Sequence, residues 1–484
     1  MPVFNYKYNM VVQPVCAVIL GFHGCFYLHI NLLFNRVYNM KIVRSDNLKI
    51  NTNSKQREAL RATLSLYQCY VRDLMVLVNA RWRHFQHYQG NEVIKATEHL
   101  IHPTSKRPEV KHRYFHQRYY KFPSYLRRVA IMDAVGQVRS FHTRYDDWLD
   151  NSGMKNKPPK LTCATNTFPS LYQGQCIKFN ESLTSAFIKV YVNDDWIWHC
   201  FRLTGKTRYE KQGKRLSPLL TLKGKQWTLS LPSKLEIPLI KQQDFSGLVL
   251  GVDVGINTAA TCAVVDKSGT VLDRKFFNRS DKDREYHLMQ RIRAKAKKQT
   301  KHGSKLPSRF CTQDHRRLKQ LANNEAHQIS RGIVDMAKVS GCDAIVLESL
   351  KGWKPTAGRK RSRMKARFHR WFHRLLVGRV ASKAQELGIR IINIYARGTS
   401  SNAYDGSGKV KRDKSNYANC VFASGKRYNA DLNASYNIAS RGIITLYYPQ
   451  LRKQLWSQGK SNTCPTTGNP LVLSSLWLLE AKVG

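Results

Sequence analysis

Three carboxylates stand where apolar runs begin or end. Asp253 closes LVLGVD, Glu348 closes all but the last residue of DAIVLES, and Asp431 lies near the start of NADLNASYNIASRG. Short apolar runs bounded by polar turns read as buried strands, and the last segment reads as a helix. Carboxylates at neighbouring positions on a rigid sheet can hold two Mg²⁺ ions about 4 Å apart, which activate a water and stabilise the leaving oxygen of a phosphodiester. Hard divalent ions take oxygen ligands, so Asp and Glu suit this work and Cys does not. Singly, each acid has an ordinary use as a strand terminator, an arginine partner or a helix cap. Their order and their apolar setting point instead to one metal site built from Asp253, Glu348 and Asp431.

The rest of the composition says what such a site would act on. The chain has 484 residues, with 81 Lys and Arg against 32 Asp and Glu, a net charge of +49. A surplus of that size repels itself unless a polyanion neutralises it, which names nucleic acid first and an acidic membrane surface second. With 42% apolar residues the chain is no disordered tail and can bury more than one core. Eleven cysteines, an odd number with no C-x-x-C pair, read as reduced thiols of a cytosolic protein and argue against a zinc finger or ribbon.

The elements that must position the acids follow from periodicity. Residues 11 to 34 carry no charged residue. They are long enough to span a bilayer but are broken by Pro14, Gln13, His23, His29 and Asn31. Residues 1–39 therefore read as an upstream extension or a mis-called start, with Met40 as the alternative initiator and a membrane anchor as the minor reading. A strand is predicted over 41–50. A helix over 54–88 follows, with Leu60, Leu64, Tyr67, Val71, Leu74 and Leu77 at steps of three and four. The basic-aromatic stretch 107–128 suits base stacking or a helix with an aromatic core face. It leads into a second helix to about Leu149, and 151–160 is a linker. From 160 to 240 the period is two, predicting a small β-barrel or sandwich. Residues 40–245 thus form a helical and β-barrel recognition half. Then come three strands over 248–277, a basic helical stretch, the strand ending at Glu348, a second basic helical region and the strand 389–395. The second basic region, 358–379, has nine Lys or Arg and no acid. In it Phe368, Trp371, Phe372 and Leu375 lie at helical spacing that suits core packing. The fold class is α/β, an RNase H-like sheet with helical insertions following the barrel-bearing half.

GVDVGINTAAT, VLESLKGW and NADLNASYNIASRG resemble the three split RuvC motifs of the TnpB family, transposon-encoded RNA-guided DNA endonucleases ancestral to type V CRISPR effectors. The resemblance covers roughly residues 245–442; residues 40–245 follow the family's recognition and wedge regions in outline. It implies a split RuvC nuclease domain over 246–442 and a C-terminal tail over 443–484. It makes Asp253, Glu348 and Asp431 the Mg²⁺-binding catalytic carboxylates, with Asn433 and Asn437 as polar residues of the third motif or as helix packing. One departure stands out in residues 396–427. The family's zinc ribbon carries two C-x-x-C pairs where this chain has Ala403, Gly406, Val421 and Ser424, with Cys420 one residue off register. No zinc is expected, and the loop must be held by packing or by nucleic acid.

The resemblance further implies guide RNA and target DNA as partners, no membrane, and a prokaryotic cytoplasmic, nucleoid-associated location. Base pairing would read sequence while the protein reads a short flanking motif. Arg291, Arg293, Lys297, Lys298, Arg316 and Arg317 in the first basic stretch, and Arg359, Arg361, Arg363 and Arg367 in the second, are the expected nucleic-acid contacts. Three other readings remain: a compact type V CRISPR effector, a guided DNA binder with weak or no cleavage, and a strand-transfer transposase.

Overall fold

The computed structural model describes residues 39–152, 157–162, 167–239, 244–255, 258–349, 373–413, 415–450 and 471–480. Residues 11–34 and most of the second basic region, with Arg359, Arg361, Arg363, Arg367, Phe368, Trp371 and Phe372, lie outside them. Two compact units emerge, Lys41–Ile237 and the chain from Pro238 onward.

In the first unit β1 (Asn39–Asn51) passes through Asn53 into α1 (Ser54–Ala80). Asn53 and Gln56 exchange hydrogen bonds between side chain and backbone, a capping box that satisfies two N–H groups at the helix start. Leu60, Leu64, Tyr67, Val71, Leu74 and Leu77 are all buried, as their spacing predicts. Two more helices are α2 (Asn91–Ile101) and α3 (Ser124–Ser152), and α1 packs on α3. There the Tyr67 hydroxyl donates to Asp133 at 2.6 Å.

The basic-aromatic stretch divides between core and surface. Phe115, Tyr119 and Phe122 are buried around Tyr70, while Tyr114 and Tyr120 stay exposed. Stacking on bases is thus closed to Phe115, Tyr119 and Phe122 and open to Tyr114 and Tyr120.

Six further strands pair antiparallel with β1 or with one another: β2 (Ile177–Phe179), β3 (Ser185–Val192), β4 (Asp195–Thr204), β5 (Lys214–Arg215), β6 (Leu219–Lys223) and β7 (Gln226–Pro238). The path runs β2-β3-β4-β1-β7-β5, with β6 also on β7. Alternate residues Ala186, Ile188 and Val190, and Trp227, Leu229 and Leu231, point to one core. A bridge from Ser170, just ahead of β2, to Leu219 in β6 draws the two margins of the sheet toward each other. The expected small barrel is, in this form, a curled antiparallel sheet.

The second unit is built on β8 (Val249–Asp253), β9 (Ala260–Val265), β10 (Val271–Phe277), β11 (Ala344–Ser349) and β12 (Arg390–Tyr395), in the order β10-β9-β8-β11-β12. The first three are antiparallel, and β11 runs parallel to both β8 and β12. Between β10 and β11 lie α4 (Lys282–Gln299) and α5 (Thr312–Val339). Next, α6 (His373–Glu386) precedes β12.

Strands β13 (Lys411–Arg412), β14 (Asn419–Val421) and β15 (Arg427–Asn429) form a separate three-stranded sheet. It leads into α7 (Ala430–Tyr447), and α8 (Ser474–Glu480) follows. Both faces of the central strands β8, β9 and β11 are covered, which is why these strands read as unbroken apolar runs. Leu250, Val252, Ile345 and Leu347 meet α5 and α6, while Val249, Val265, Ala344 and Val346 meet α7 and the segment 471–476.

Candidate active site

The pairing register sets two of the acids side by side. Leu347 of β11 faces Val252 of β8, so Glu348 and Asp253 follow as the next residues on adjacent parallel strands. Helix α7 supplies the third. Its N-cap is Asn429, whose side chain accepts the N–H groups of Asp431 and Leu432 at 3.0 and 2.9 Å. The capping task is therefore filled two residues upstream, and the Asp431 carboxylate is left for other work.

Close packing of α7 on the sheet needs two glycines. A Cβ at Gly251 would stand 2.3 Å from the Ser435 carbonyl oxygen, and one at Gly442 would stand 2.2 Å from Val346 Cγ2. Neither position tolerates a side chain while the helix lies where it does.

Burial shifts all three acids, and neighbouring charge adds to the shift at Asp253. Burial raises the Asp253 carboxyl well above the ordinary carboxylate range, and the charges of Glu348 and Asp431 push it in the same direction. Burial likewise raises Glu348 and Asp431. Asp253 keeps a partly open surface even though protein atoms surround it densely enough to strip most of its water. That opening matters more for an incoming ligand than the average density around the group.

Opposing charge is scarce. Arg412, on β13, acts on Asp253 and Asp431, and Arg441, on α7, acts on Glu348. Thr399 approaches Glu348 Oε1 with its hydroxyl at 2.5 Å. Sequence reasoning missed Arg412, because nothing in its local pattern marks it; only the turn of the small sheet carries it to the acids.

The donor chemistry suits a hard divalent cation: all-oxygen, anionic and short of countercharge. The spacing is looser than the chemistry. Among the described residues no three His, Cys, Asp or Glu side chains stand close enough together to ligate one ion. Electrostatic influence acts over a longer range than coordination, which reconciles this with the shift that Glu348 and Asp431 impose on Asp253.

The basic residues of the first stretch lie on α4 and α5. Arg293, Lys297, Lys298, Arg316 and Arg317 are exposed. Arg291 is engaged, with Lys295, by the buried Asp314 at 3.1 and 3.0 Å. A groove of about 540 Å³ between the two helices is lined by Arg284, His287, Arg291 and Arg317 among others.

The segment that holds Ala403 and Cys420, where the sequence resemblance implies a zinc ribbon without its cysteines, is a folded apolar knot. Ala403, Cys420, Phe422 and Ala430 are buried together, with Tyr404, Val410 and Tyr428 against them. Asn433 and Asn437 are fully buried on α7 and are fixed by hydrogen bonds to the loop that leads into this knot.

A model of the Aq_aa04 family matches residues 44–192. No curated protein matches the chain. Among solved structures it is similar to Cas12f1 in a complex with guide RNA and target DNA, at 14% identity and a TM-score of 0.30, covering 83% of this chain and 100% of that one. It is similar to the mini-RNA-guided endonuclease Cas_phi3 at 11% identity and a TM-score of 0.42, covering 84% and 92%. It is also similar to C2c1 of Alicyclobacillus acidoterrestris, in complex with single-guide RNA, at 11% identity and a TM-score of 0.40, covering 80% and 70%. No helix among the described residues is long and apolar enough to cross a membrane.

Proposed function

We propose that the chain is an RNA-guided DNA endonuclease of the TnpB kind, encoded by a mobile element, and that Asp253, Glu348 and Asp431 hold Mg²⁺ at its hydrolytic centre. The observation that carries this reading is the adjacency of Asp253 and Glu348 on parallel strands, with Asp431 brought to them by α7. The mixed order of the sheet, β10-β9-β8-β11-β12 covered by helices on both faces, supports an RNase H-like (RuvC) assignment.

Divalent ions held there would supply positive charge to a phosphodiester and acidify a water. The chain's own residues then divide the remaining work. Asp253, central among the acids, is shared between its two neighbours. Thr399 turns Glu348, and Arg412 brings a guanidinium to the mouth of the site, where an incoming phosphate oxygen needs a donor. The exposed cations of α4 and α5 draw the nucleic-acid backbone to the same unit.

The test is plasmid cleavage by full-length protein co-expressed with its native flanking DNA, against targets with randomised flanking bases. Cutting that requires co-purified RNA and Mg²⁺, and that disappears with EDTA or in Asp253→Ala, is the expected result. One observation favours a second reading, a guided binder that does not cut: among the described residues no three acids converge on a single ion. RNA-dependent target binding with no cleavage at any Mg²⁺ concentration would select that reading. A CRISPR repeat array in place of transposon ends beside the gene would move the chain to the type V effectors without altering the site.

A further inference from the structure

We propose that Thr399 is a positioning residue for Glu348, held in place by Asn437 and Arg441 of α7 together with the C-terminal strap 471–473. The inference rests on the reading of Glu348 as a metal ligand and adds what aims it.

The Thr399 hydroxyl lies 2.5 Å from Glu348 Oε1 and 2.8 Å from the Ala396 carbonyl oxygen. It has one proton to give, and a carboxylate is the stronger acceptor. Thr399 is 1% exposed, so no water competes for that contact. The hydroxyl occupies Oε1 of Glu348 and limits how the carboxylate can turn, leaving Oε2 as the oxygen that Thr399 does not engage. An unrestrained Glu at a strand end has three rotatable bonds and loses that aim.

Thr399 itself sits in a loop with no strand or helix to hold it. Two buried side chains of α7, one turn apart, do so instead. Asn437 donates through Nδ2 to the carbonyls of Thr399 and Asn402, both at 2.9 Å. Arg441 donates through Nη1 to the carbonyls of Tyr395 and Arg397, at 2.7 and 2.9 Å.

The same two side chains grip the C-terminal segment. Asn437 Oδ1 accepts the Leu473 N–H at 3.1 Å, and Arg441 Nε donates to the Leu471 carbonyl at 3.2 Å. Leu471, Val472 and Leu473 are buried. The strap is therefore part of how Glu348 is aimed, and a stretch with no recognisable motif acquires a task. Arg441 adds charge as well: it is 5% exposed, and Glu348 is the acid that acts on its guanidinium.

The test compares full-length Thr399→Val, which removes only the hydroxyl, with Thr399→Ser, which restores it, and with Asn437→Asp. The last keeps the acceptor for Leu473 and loses the donor to the loop carbonyls. Two readouts are taken: Mn²⁺ affinity of the nucleic-acid-free chain by electron paramagnetic resonance, and the Mg²⁺ concentration giving half-maximal cleavage by the RNA complex. Outer partners of metal ligands typically contribute about 10- to 100-fold in affinity or activity. Thr399→Val is expected to weaken both readouts by that factor while melting close to wild type, and Thr399→Ser to stay near wild type. Asn437→Asp is expected to weaken both readouts and to melt lower, because its carboxylate would face two carbonyl oxygens at a fully buried position. Equal losses in Val and Ser would assign Thr399 to packing and overturn the proposal, as would a Val variant that matches wild type. Glu348→Gln separates the two levels. If it loses Mn²⁺ while Thr399→Val does not, the inference alone fails; if it binds and cuts as wild type does, the reading of the whole site fails with it.

Discussion

The open end of the five-stranded sheet and the small three-stranded sheet that follows it have opposite interiors. The first keeps three acids whose proton affinity is raised by burial, and at Asp253 by the other two as well, with little countercharge. The second has Ala403, Cys420, Phe422 and Ala430 buried in mutual contact. Repelling charges in a half-buried site cost stability and persist where a ligand compensates them. An apolar knot needs no ligand and holds itself by excluded water and dispersion. The groups that could do chemistry are charged, and those that hold the small sheet together are apolar. Charge links the two, because Arg412 on β13 acts on Asp253 and Asp431.

The contrast breaks most sharply at Asp253. Asp253→Ala is expected to lower guided cleavage by at least about 10³-fold, since groups that act as a unit lose most of their effect together. Single-turnover plasmid cutting measures it, and residual cutting within tenfold of wild type would remove Asp253 from the centre. At the knot, Phe422→Ala should cost about 3 kcal/mol, the low end for a buried Phe because so small a cluster collapses readily. The loss is local, so hydrogen exchange of residues 411–429 should rise while the sheet amides of β8 and β11 stay protected. Zinc or a zinc chelator should change neither.

Between the two lies the seat of α7. Gly251→Ala drives a Cβ into the Ser435 carbonyl, so denaturant melting should fall by about 1–3 kcal/mol. Cleavage should fall with it, because Asp431 rides on the displaced helix. An unchanged rate in the destabilised variant would mean that Asp431 is not held to the site by this contact.

How much of this was legible beforehand follows from the range of each interaction. Asp253, Glu348 and Asp431 could be singled out because each closes or opens an element whose period is written locally, and the face-covered sheet leaves unbroken apolar runs. The curl of the first unit's sheet, the division of the 107–128 aromatics into core and surface, and the approach of Arg412 depend on partners far along the chain. So does the strap. Leu471 to Leu473 look like any short apolar run, and only the depth of Asn437 and Arg441 beneath them gives them meaning.

The smallest expected effect sharpens the comparison through pH. Burial and like charge give the folded Asp253 carboxyl a tighter hold on its proton than the unfolded chain has. Any stability it contributes is therefore complete below the ordinary carboxylate range and is lost as pH rises through the raised folded value. Asp253→Asn removes the charge without changing the shape. In EDTA its melting temperature should exceed wild type by a few degrees at about pH 8, and the gap should narrow toward about pH 4. Mg²⁺ should close the gap from the wild-type side, since an ion that binds only the folded acids stabilises them by mass action. Phe422→Ala should shift melting equally at both pH values and ignore Mg²⁺, because nothing it touches changes charge in that range. A pH-independent gap for Asp253→Asn would mean that the carboxylate is compensated in the folded chain, and the opposition between a strained acid cluster and a self-sufficient apolar knot would then have no energetic basis.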